Sequence, residues 1–323
     1  MGKRLILVYN PRSSKHDLIE TEVLVPARKL KGYTLGKFEV AKVPVDENAR
    51  NLAKILTDGD LVVVAGGDGS ATVGLNAIML AQQAGTTGLV LGVTGYGNFN
   101  DMARMLGQKK FAEIIADFED GKTQKLFPLE AMVDGKHFRY AGCYFTLGMF
   151  SESTEVFDVP NTRETLKRGN KSVMYSLKTL AGWYFKNHRK EFLPGDIQMN
   201  GIPMNRKKIR KSGRVNDFPG KHVSDVLFVN GKTVAKVMRG GDFWLSPDKY
   251  YVALGRLKGL FRLAMFMAKS VFSKLPGHVV RSETRISFSG VNEVEIQAEG
   301  EYKKMKMQEL VIKKAKNGIT VVV

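Results

Sequence analysis

Two short segments of this sequence combine glycines with carboxylate and amide side chains in a way that suits phosphate chemistry. They are Gly66-Gly67-Asp68-Gly69-Ser70 and Gly95-Tyr96-Gly97-Asn98-Phe99-Asn100-Asp101. Glycine-rich turns let backbone N–H groups approach phosphate oxygens, and carboxylates bind Mg²⁺ or orient an attacking hydroxyl. Taken alone, the first segment is equally well explained as a plain strand-to-helix connection capped by Ser70. The two segments together favour a site for a nucleotide phosphate.

A third segment offers a proton acceptor. Glu299-Gly300-Glu301 places two carboxylates across one glycine. Adjacent carboxylates can raise each other's pKa, which suits a base that acts near neutral pH. The alternative is a charged hairpin tip without a chemical role, and from the residues alone that interpretation is favoured.

The spacing of the glycines excludes two common nucleotide-binding motifs. Neither segment is the lysine-bearing P-loop or the Gly-x-Gly-x-x-Gly dinucleotide turn. An ordinary P-loop enzyme and a Rossmann oxidoreductase are therefore disfavoured.

The glycine segments belong to an alternating pattern of strands and helices. Strands are predicted at 5–10, 61–67 and 88–95, and helices at 46–56, at 71–85 and from 100 onward. Continuous β-branched runs between helices indicate a parallel sheet covered on both faces. Ligands bind beyond the carboxyl ends of such strands, which is where the glycine segments stand.

The pattern changes near residue 124 to short strands separated by turns. Val-Asp-Gly-Lys, Val-Asn-Gly-Lys and Ala-Glu-Gly-Glu are predicted to be turns between strands, with helical segments at about 171–190 and 255–275 and a polar loop at 197–222. The sequence thus predicts an α/β nucleotide-binding domain over 1–123, to which the strand 318–323 returns. A β-rich, sandwich-like domain over 124–317 is expected to carry the acceptor site.

Composition restricts the partners. Lys and Arg total 50 against 32 Asp and Glu, a net charge of +18 that favours polyanions such as nucleic acid or an acidic membrane. No nucleic-acid-binding motif accompanies this charge, so no nucleic acid partner is expected. The alternative is that the charge only makes a solvated basic surface, without a partner. A single cysteine, Cys143, excludes an intrachain disulfide and is expected in the core.

Two segments suggest contact with a membrane surface. No apolar run approaches the roughly 20 residues of a membrane span, and a cytoplasmic location is expected. Residues 257–275 alternate apolar and basic positions at helical spacing, and 175–190 ends in aromatic and basic residues. Taken alone, the first segment is explained slightly better as a core helix with snorkelling lysines. Together they favour peripheral attachment to an anionic membrane.

The motifs resemble those of the soluble diacylglycerol kinase superfamily, which includes bacterial lipid kinases and sphingosine kinases and has an NAD kinase-like fold. Residues 66–70 resemble the family's Gly-Gly-Asp-Gly-Thr, and 95–101 resemble Pro-x-Gly-Thr-x-Asn-Asp. Asn10-Pro11 matches the family's opening Asn-Pro, and 299–301 resembles its Asp-Gly-Glu. The intervening segments 145–156, 171–180, 228–230 and 240–247 follow the family's order.

The resemblance implies an ATP-dependent kinase that phosphorylates a lipid hydroxyl, with a diacylglycerol-like acceptor. It makes Glu301 the proton acceptor and Asp68 a second catalytic residue, with Mg²⁺ served by Asp68 and Asp101. The nucleotide-binding residues it implies are Asn10, Pro11, Gly66, Gly67, Asp68, Gly69, Ser70, Thr72, Gly97, Asn98, Asn100 and Asp101.

The sequence departs from the family pattern at several positions. Gly95 and Asn98 replace a proline and a threonine, and Thr72 stands where asparagine is common. After Pro247 only Asp248 is present, where many bacterial members have an Asp-Gly pair associated with a structural magnesium. Because of these departures, a catalytically silent, nucleotide-binding membrane adaptor remains an alternative function.

The identity of the acceptor is also open at the level of sequence. An NAD kinase shares the Gly-Gly-Asp-Gly turn, but the further motifs of that family are not evident in this chain. Another glycerolipid, a sphingoid base or a polyprenol-like alcohol suits the sequence as acceptor, and a homo-oligomer is compatible with it.

Overall fold

The structure is a computed structural model. It describes residues 3–13, 15–97, 99–154, 172–187, 190–194, 196–204, 223–235, 238–255, 265, 275 and 277–323.

The secondary structure is mixed, with helices concentrated in the first part of the chain. The described strands are β1 (Lys3–Tyr9), β2 (Tyr33–Glu39), β3 (Leu61–Gly66), β4 (Val90–Gly95), β5 (Thr123–Leu126), β6 (Leu129–Val133), β7 (Lys136–Ala141), β8 (Tyr144–Gly148), β9 (Gln198–Met199), β10 (Ile202–Pro203), β11 (Asp225–Val229), β12 (Thr233–Val234), β13 (Met238–Arg239), β14 (Tyr250–Gly255), β15 (Gly277–Val280), β16 (Thr284–Ala298), β17 (Glu301–Lys314) and β18 (Ile319–Val322). The described helices are α1 (His16–Ile19), a π-helical turn (Glu20–Leu24), α2 (Val25–Arg28), α3 (Val45–Ala53), α4 (Asp68–Gln83), α5 (Asp101–Met105), α6 (Phe111–Glu119), α7 (Met149–Ser153) and α8 (Ser172–Asn187).

The first sheet has the strand order β2-β1-β3-β4-β18-β5 among the described residues. Its pairs are parallel except β18 with β5. The last strand, β18, therefore lies between β4 and β5 and completes a sheet that begins at the start of the chain. The strand β5 belongs to this sheet and extends just beyond residue 123, where the sequence predicted the domain boundary.

Helices cover both faces of the first sheet. Along β1, Ile6 and Val8 pack into a core with residues of α3 and α4, whereas Leu5 and Leu7 pack into a second core with residues of α1 and α6. Successive side chains of a strand point to opposite faces, so a strand buried on both faces must be continuously apolar. The predicted α/β class is thereby confirmed.

The second sheet is antiparallel and curves around its own core. Its main strand order is β15-β14-β11-β8-β16-β17-β6-β7. Val252 on β14 and Leu310 on β17 stand far apart in this order, yet they share one apolar core. A β second domain is consistent with this arrangement, in which ten described strands form one sheet and β12 and β13 form a separate two-stranded sheet.

Several predicted elements differ in detail. Helix α4 begins at Asp68 instead of residue 71, so most of the first glycine segment is helical. The Val-Asn-Gly-Lys segment does not form a hairpin, because β11 pairs with β8 and β14 and not with β12. Strand β2 and the helical turns at 16–28 were not predicted. The predicted helix at 171–190 is present as α8, and most of 255–275 lies outside the described residues.

Candidate functional site

The two glycine segments lie side by side at the carboxyl ends of β3 and β4. The Tyr96 N–H donates a hydrogen bond to the Gly66 carbonyl at 2.8 Å. A Cβ atom added to Gly67 would lie 3.1 Å from the Cα atom of Gly97, and one added to Gly97 would overlap the backbone of Gly67. The close approach of the two backbones requires glycine at position 97, and a Cβ atom at position 67 would force a small shift of its neighbour.

Asp68 joins the two segments. Its Oδ2 accepts the Asn100 N–H at 2.9 Å, and its Oδ1 accepts the Asp101 N–H at 2.6 Å. These are N–H groups at the start of α5, which have no partner within that helix. Asp68 therefore caps α5 from the first turn of α4. Burial, with Asp101 close by, raises the pKa of Asp68 to about 7.

Asp101 connects this edge of the sheet to the second domain. Its Oδ1 accepts hydrogen bonds from Arg104 Nη2 at 2.6 Å and from Thr233 Oγ1 at 3.0 Å. Arg104 also donates to the Phe99 carbonyl. Thr233 stands in β12, more than a hundred residues away, and no local signal in the sequence could have identified it.

The tip of the β16–β17 hairpin packs onto the first turn of α4. Glu299 is buried and has a positive φ of 50°. Its Oε2 accepts the Thr72 hydroxyl at 2.9 Å, and its Oε1 accepts the Cys143 N–H at 2.5 Å. Burial is the main cause that raises the pKa of Glu299 to about 7, and Asp68 adds to the effect.

Glu301 differs from Glu299 because its side chain is exposed. A Cβ atom added to Gly69 would lie 3.2 Å from Glu301 Cδ, so the carboxylate lies beside the first turn of α4. Glycine at position 69 leaves room for it. The structure thus gives the two carboxylates of Glu299-Gly300-Glu301 different surroundings, and the raised pKa of Glu299 arises mainly from burial.

The other predicted residues lie at the same edge of the sheet. Tyr9 pairs with Ala65, which brings Asn10 next to Gly66, and the Asn10 carboxamide accepts the Arg12 N–H at 2.9 Å in the turn containing Pro11. Asn100 closes the second glycine segment through hydrogen bonds of 2.7 and 2.9 Å with Gly97. Asn98 lies outside the described residues.

Ser70 is not the cap of α4, which corrects one interpretation of the first glycine segment. Gly67 is the N-cap residue, and Ser70 is buried within the first turn. A Cβ atom added to Gly66 would lie 2.6 Å from the Ser70 hydroxyl oxygen. Ser70 therefore packs under the end of β3.

The carboxylates suit a metal ion that arrives with a nucleotide better than a resident one. Within the described ranges, no group of three or more His, Cys, Asp or Glu side chains is arranged to hold a metal ion. Mg²⁺ in nucleotide sites is commonly bound by one or two carboxylates together with phosphates and water. Asp68 and Asp101 supply two carboxylates at this edge of the sheet, which is the number that this pattern uses.

Lys314, which the sequence analysis did not identify, donates hydrogen bonds to three oxygen atoms near the site. Lys314 Nζ donates to Asn230 Oδ1 at 2.5 Å, to the Phe127 carbonyl at 2.6 Å and to the Phe243 carbonyl at 3.1 Å. Burial lowers its pKa to about 7, an effect that Asp248 opposes. The ammonium thus links the loop before Pro247 to β17 and to the end of β11.

The two segments that the sequence predicts to contact a membrane are only partly included in the described residues. In the described part of the chain, no helix is long and apolar enough to cross a membrane. At the end of α8, Tyr184 is buried and Phe185 is 55% exposed. The 257–275 segment lies outside the described residues except for Met265, which is exposed, and Leu275, which is buried.

Comparison with known proteins finds a family similarity in the first part of the chain. Residues 4–129 match the family model of the Diacylglycerol kinase catalytic domain, so the resemblance found in the sequence is confirmed over this part of the chain. Both glycine segments, Asp68 and Asp101 lie within the match. This part of the chain is therefore similar to the catalytic domain of diacylglycerol kinases.

Solved structures extend the similarity over the whole fold. A diacylglycerol kinase from Bacillus anthracis str. Sterne aligns with a TM-score of 0.64 at 16% identity, covering 99% of this chain and 97% of that one. An NAD kinase from Archaeoglobus fulgidus in complex with ATP aligns with a TM-score of 0.44 at 11% identity, covering 99% and 93%. No curated protein matches the chain. The likeness to the first structure establishes the fold, and the second is too distant to support an argument.

Proposed function

We propose that this protein is an ATP-dependent lipid kinase that transfers the γ-phosphate of ATP to the hydroxyl of a lipid, with a diacylglycerol-like acceptor. The observation that carries the proposal is the packing of Glu299 and Glu301 onto the first turn of α4, beside Asp68. A carboxylate pair from one sheet thereby meets the glycine segments of the other. We propose that the protein has two domains, the first formed by residues 1–123 with 318–323 and the second by residues 124–317.

The nucleotide part of the site is assigned to the edge of the first sheet. Backbone N–H groups at the start of α4, with the positive end of the helix dipole, favour the phosphates of ATP. Asn10 lies at the same edge, beside Gly66. Mg²⁺ bound with ATP would neutralise charge on the phosphates, and Asp68 and Asp101 are the residues that would hold it.

Glu301 is assigned the role of general base. Its exposed carboxylate stands beside Gly69, within the region where the γ-phosphate and the acceptor hydroxyl would meet. It would accept the hydroxyl proton as the oxygen attacks phosphorus, the role that a positioned carboxylate has in kinases. Buried Glu299 is assigned a different task, which is to hold the hairpin tip against Thr72 and Cys143.

The proposed place of action is the surface of an anionic membrane. The net charge of +18 supports attraction to acidic lipids, and the partly exposed end of α8 adds the aromatic Phe185. Attachment of this kind needs no membrane-spanning helix.

Phosphate transfer from labelled ATP to a panel of lipid alcohols in anionic vesicles tests the function. Wild type is expected to label a glycerolipid and to require Mg²⁺. Transfer to NAD instead of any lipid would identify an NAD kinase. ATP binding without transfer to any acceptor would support the silent adaptor.

A further inference from the structure

A cavity outside the glycine segments lies between the two domains. It has a volume of about 550 Å³ and is bounded by α3, α4, the β6–β7 hairpin and β17. The residues at its wall include Asn76 and Leu80 on α4 and Lys303 and Met305 on β17. None of the sequence motifs points to this cavity.

Two elements, α4 and β17, link the wall of the cavity to the neighbourhood of Glu301, the proposed base. On α4, Asn76 and Leu80 lie within about 20° of Gly69 around the helix axis, and Asn76 is about 10 Å farther along it. On β17, side chains at alternate positions share a face, so Glu301 lies on the same face as Lys303 and Met305. Lys303 is about 7 Å from Glu301 along the strand. Helix and strand therefore lead from the proposed base to one cavity.

The wall of the cavity has an excess of uncompensated positive charge. Arg50, Lys136 and Lys303 are exposed, and within the part of the chain that the structure describes no carboxylate forms an ion pair with them. By contrast, the carboxylate of Asp46 is neutralised by Arg139, whose Nε lies 2.9 Å from Asp46 Oδ1.

The remaining polar residues at the wall already have partners. Asp134 Oδ1 accepts the N–H groups of Gln308 and Glu309 at 2.9 and 2.8 Å. His137 Nδ1 lies 3.2 Å from Glu130 Oε1. These contacts tie the β6–β7 hairpin to its neighbours and leave the three cations to face a ligand.

Apolar side chains complete the wall. Leu80, Val133 and Met305 contribute aliphatic surface, and Lys303 Nζ lies 5.6 Å from the centroid of the Phe138 ring. Cations beside an apolar surface suit an amphiphile that carries an anionic group. A cationic amphiphile would meet repulsion from the same side chains.

We propose that this cavity binds an anionic group of the acceptor lipid, so that the enzyme prefers a lipid alcohol bearing a phosphate or another acidic group over neutral diacylglycerol. This inference rests on the proposed lipid kinase function and narrows its acceptor. It makes a sphingoid base, which carries an ammonium, a poor substrate. Lys136 and Lys303 determine the specificity.

Short-chain acceptors test the preference for an anionic acceptor, because no charged bilayer is present to attract the basic protein. Phosphate transfer is measured to dihexanoylglycerol, which is neutral, and to dihexanoylphosphatidylglycerol, which carries a phosphodiester and free hydroxyls, both as monomers. Wild type is expected to use the anionic acceptor with a kcat/KM about tenfold higher, the factor typical of one charge-assisted hydrogen bond.

Variants assign that preference to the cavity. Lys303→Ala and Lys136→Ala are each expected to lower the ratio of kcat/KM for the anionic acceptor to kcat/KM for the neutral acceptor about tenfold. Lys306→Ala is the matched control, since Lys306 is exposed on the opposite face of the same strand. Equal use of both acceptors by wild type, or an equal loss for both in the two variants, would overturn the inference.

Calorimetry without ATP separates this inference from the kinase function. Dihexanoylphosphatidylglycerol is expected to bind wild type, and Lys303→Ala is expected to weaken its Kd about tenfold. If no acceptor is phosphorylated but this binding pattern holds, the anion site stands and the kinase function fails. Equally tight binding of glycerol phosphate would identify a small-anion site and overturn the assignment to a lipid.

Discussion

Replacing Glu299 by glutamine is expected to stabilise the protein at pH 8 and to preserve phosphate transfer. The amide can accept the Cys143 N–H with its oxygen and donate to the Thr72 hydroxyl oxygen with its nitrogen. Thr72 can then direct its own hydroxyl to the Asp68 carbonyl, 2.9 Å away. No buried polar group loses a partner, and the buried negative charge is removed.

The size of the effect follows from the pKa of Glu299, which burial raises from 4.5 to about 7. A raised pKa of an acid contributes stability that is present below the unfolded-state value and is lost as the pH rises through the folded-state value. At about 1.4 kcal/mol per pKa unit, the loss at pH 8 has a ceiling near 3 kcal/mol. Glutamine does not undergo this loss, so a gain of about 1–3 kcal/mol is expected at pH 8 and a smaller one at pH 5.

Denaturant unfolding of wild type and Glu299→Gln at pH 5 and pH 8 measures this difference. Glu293→Gln is the matched control, because Glu293 is exposed on the same hairpin and its ion pair with Lys304 is also exposed. Exposed pairs contribute little, so the control should differ from wild type by less than about 1 kcal/mol at both pH values. Equal or lower stability of Glu299→Gln at pH 8 would refute the description of Glu299 as a buried, costly charge.

Two further predictions concern the contacts around the site. Gly97→Ala is expected to lose about 1–3 kcal/mol in denaturant unfolding, because its Cβ would overlap Gly67, whereas Gly290→Ala, where nothing lies within 4 Å, should not. Similar losses in both variants would argue against close packing of the two glycine segments. Burial lowers the pKa of Lys314 from 10.5 to about 7. The lysine therefore decreases the free energy of unfolding as the pH falls from 10.5 towards 7. Lys314→Met is expected to flatten the pH dependence of unfolding over that range and Lys316→Met is not; an unchanged slope in Lys314→Met would contradict the assignment.

The sequence predicts the first sheet well because its signals are local. The runs at 5–10, 61–67 and 88–95 are predominantly apolar, and the structure confirms them as β1, β3 and β4. Strand β2 was not predicted, because Tyr33–Glu39 lies at the edge of the sheet and is only partly buried. Its sequence therefore lacks the apolar run that marks the central strands.

The sequence predicted candidate site residues by type, but their contacts could not be predicted. The sequence singled out Asp68 as a metal and catalytic residue, and the structure shows that its carboxylate also caps α5. Local motifs contain no information about a partner on another element. Thr233 and Lys314 were missed for the same reason, since each meets its partners only through the tertiary fold.

The two hairpin carboxylates differ in burial, which the sequence could not predict. Glu299 and Glu301 have the same side chain and flank the same glycine, so the sequence alone treats them as a pair. The structure separates them, because Glu299 is 2% exposed and Glu301 is exposed. The assignment of Glu301 as proton acceptor remains a prediction.

Rapid-quench measurement of the phosphoryl-transfer step at saturating ATP tests the central claim most directly. Wild type, Glu299→Gln and Glu301→Gln are compared with labelled ATP, Mg²⁺ and a lipid acceptor, and the Kd for ATP is measured in parallel. Loss of a general base is expected to slow the step in Glu301→Gln by a factor of about 10²–10⁴ with ATP binding unchanged, while Glu299→Gln stays within about tenfold of wild type. A fast step in Glu301→Gln, or a slow step confined to Glu299→Gln, would contradict the account.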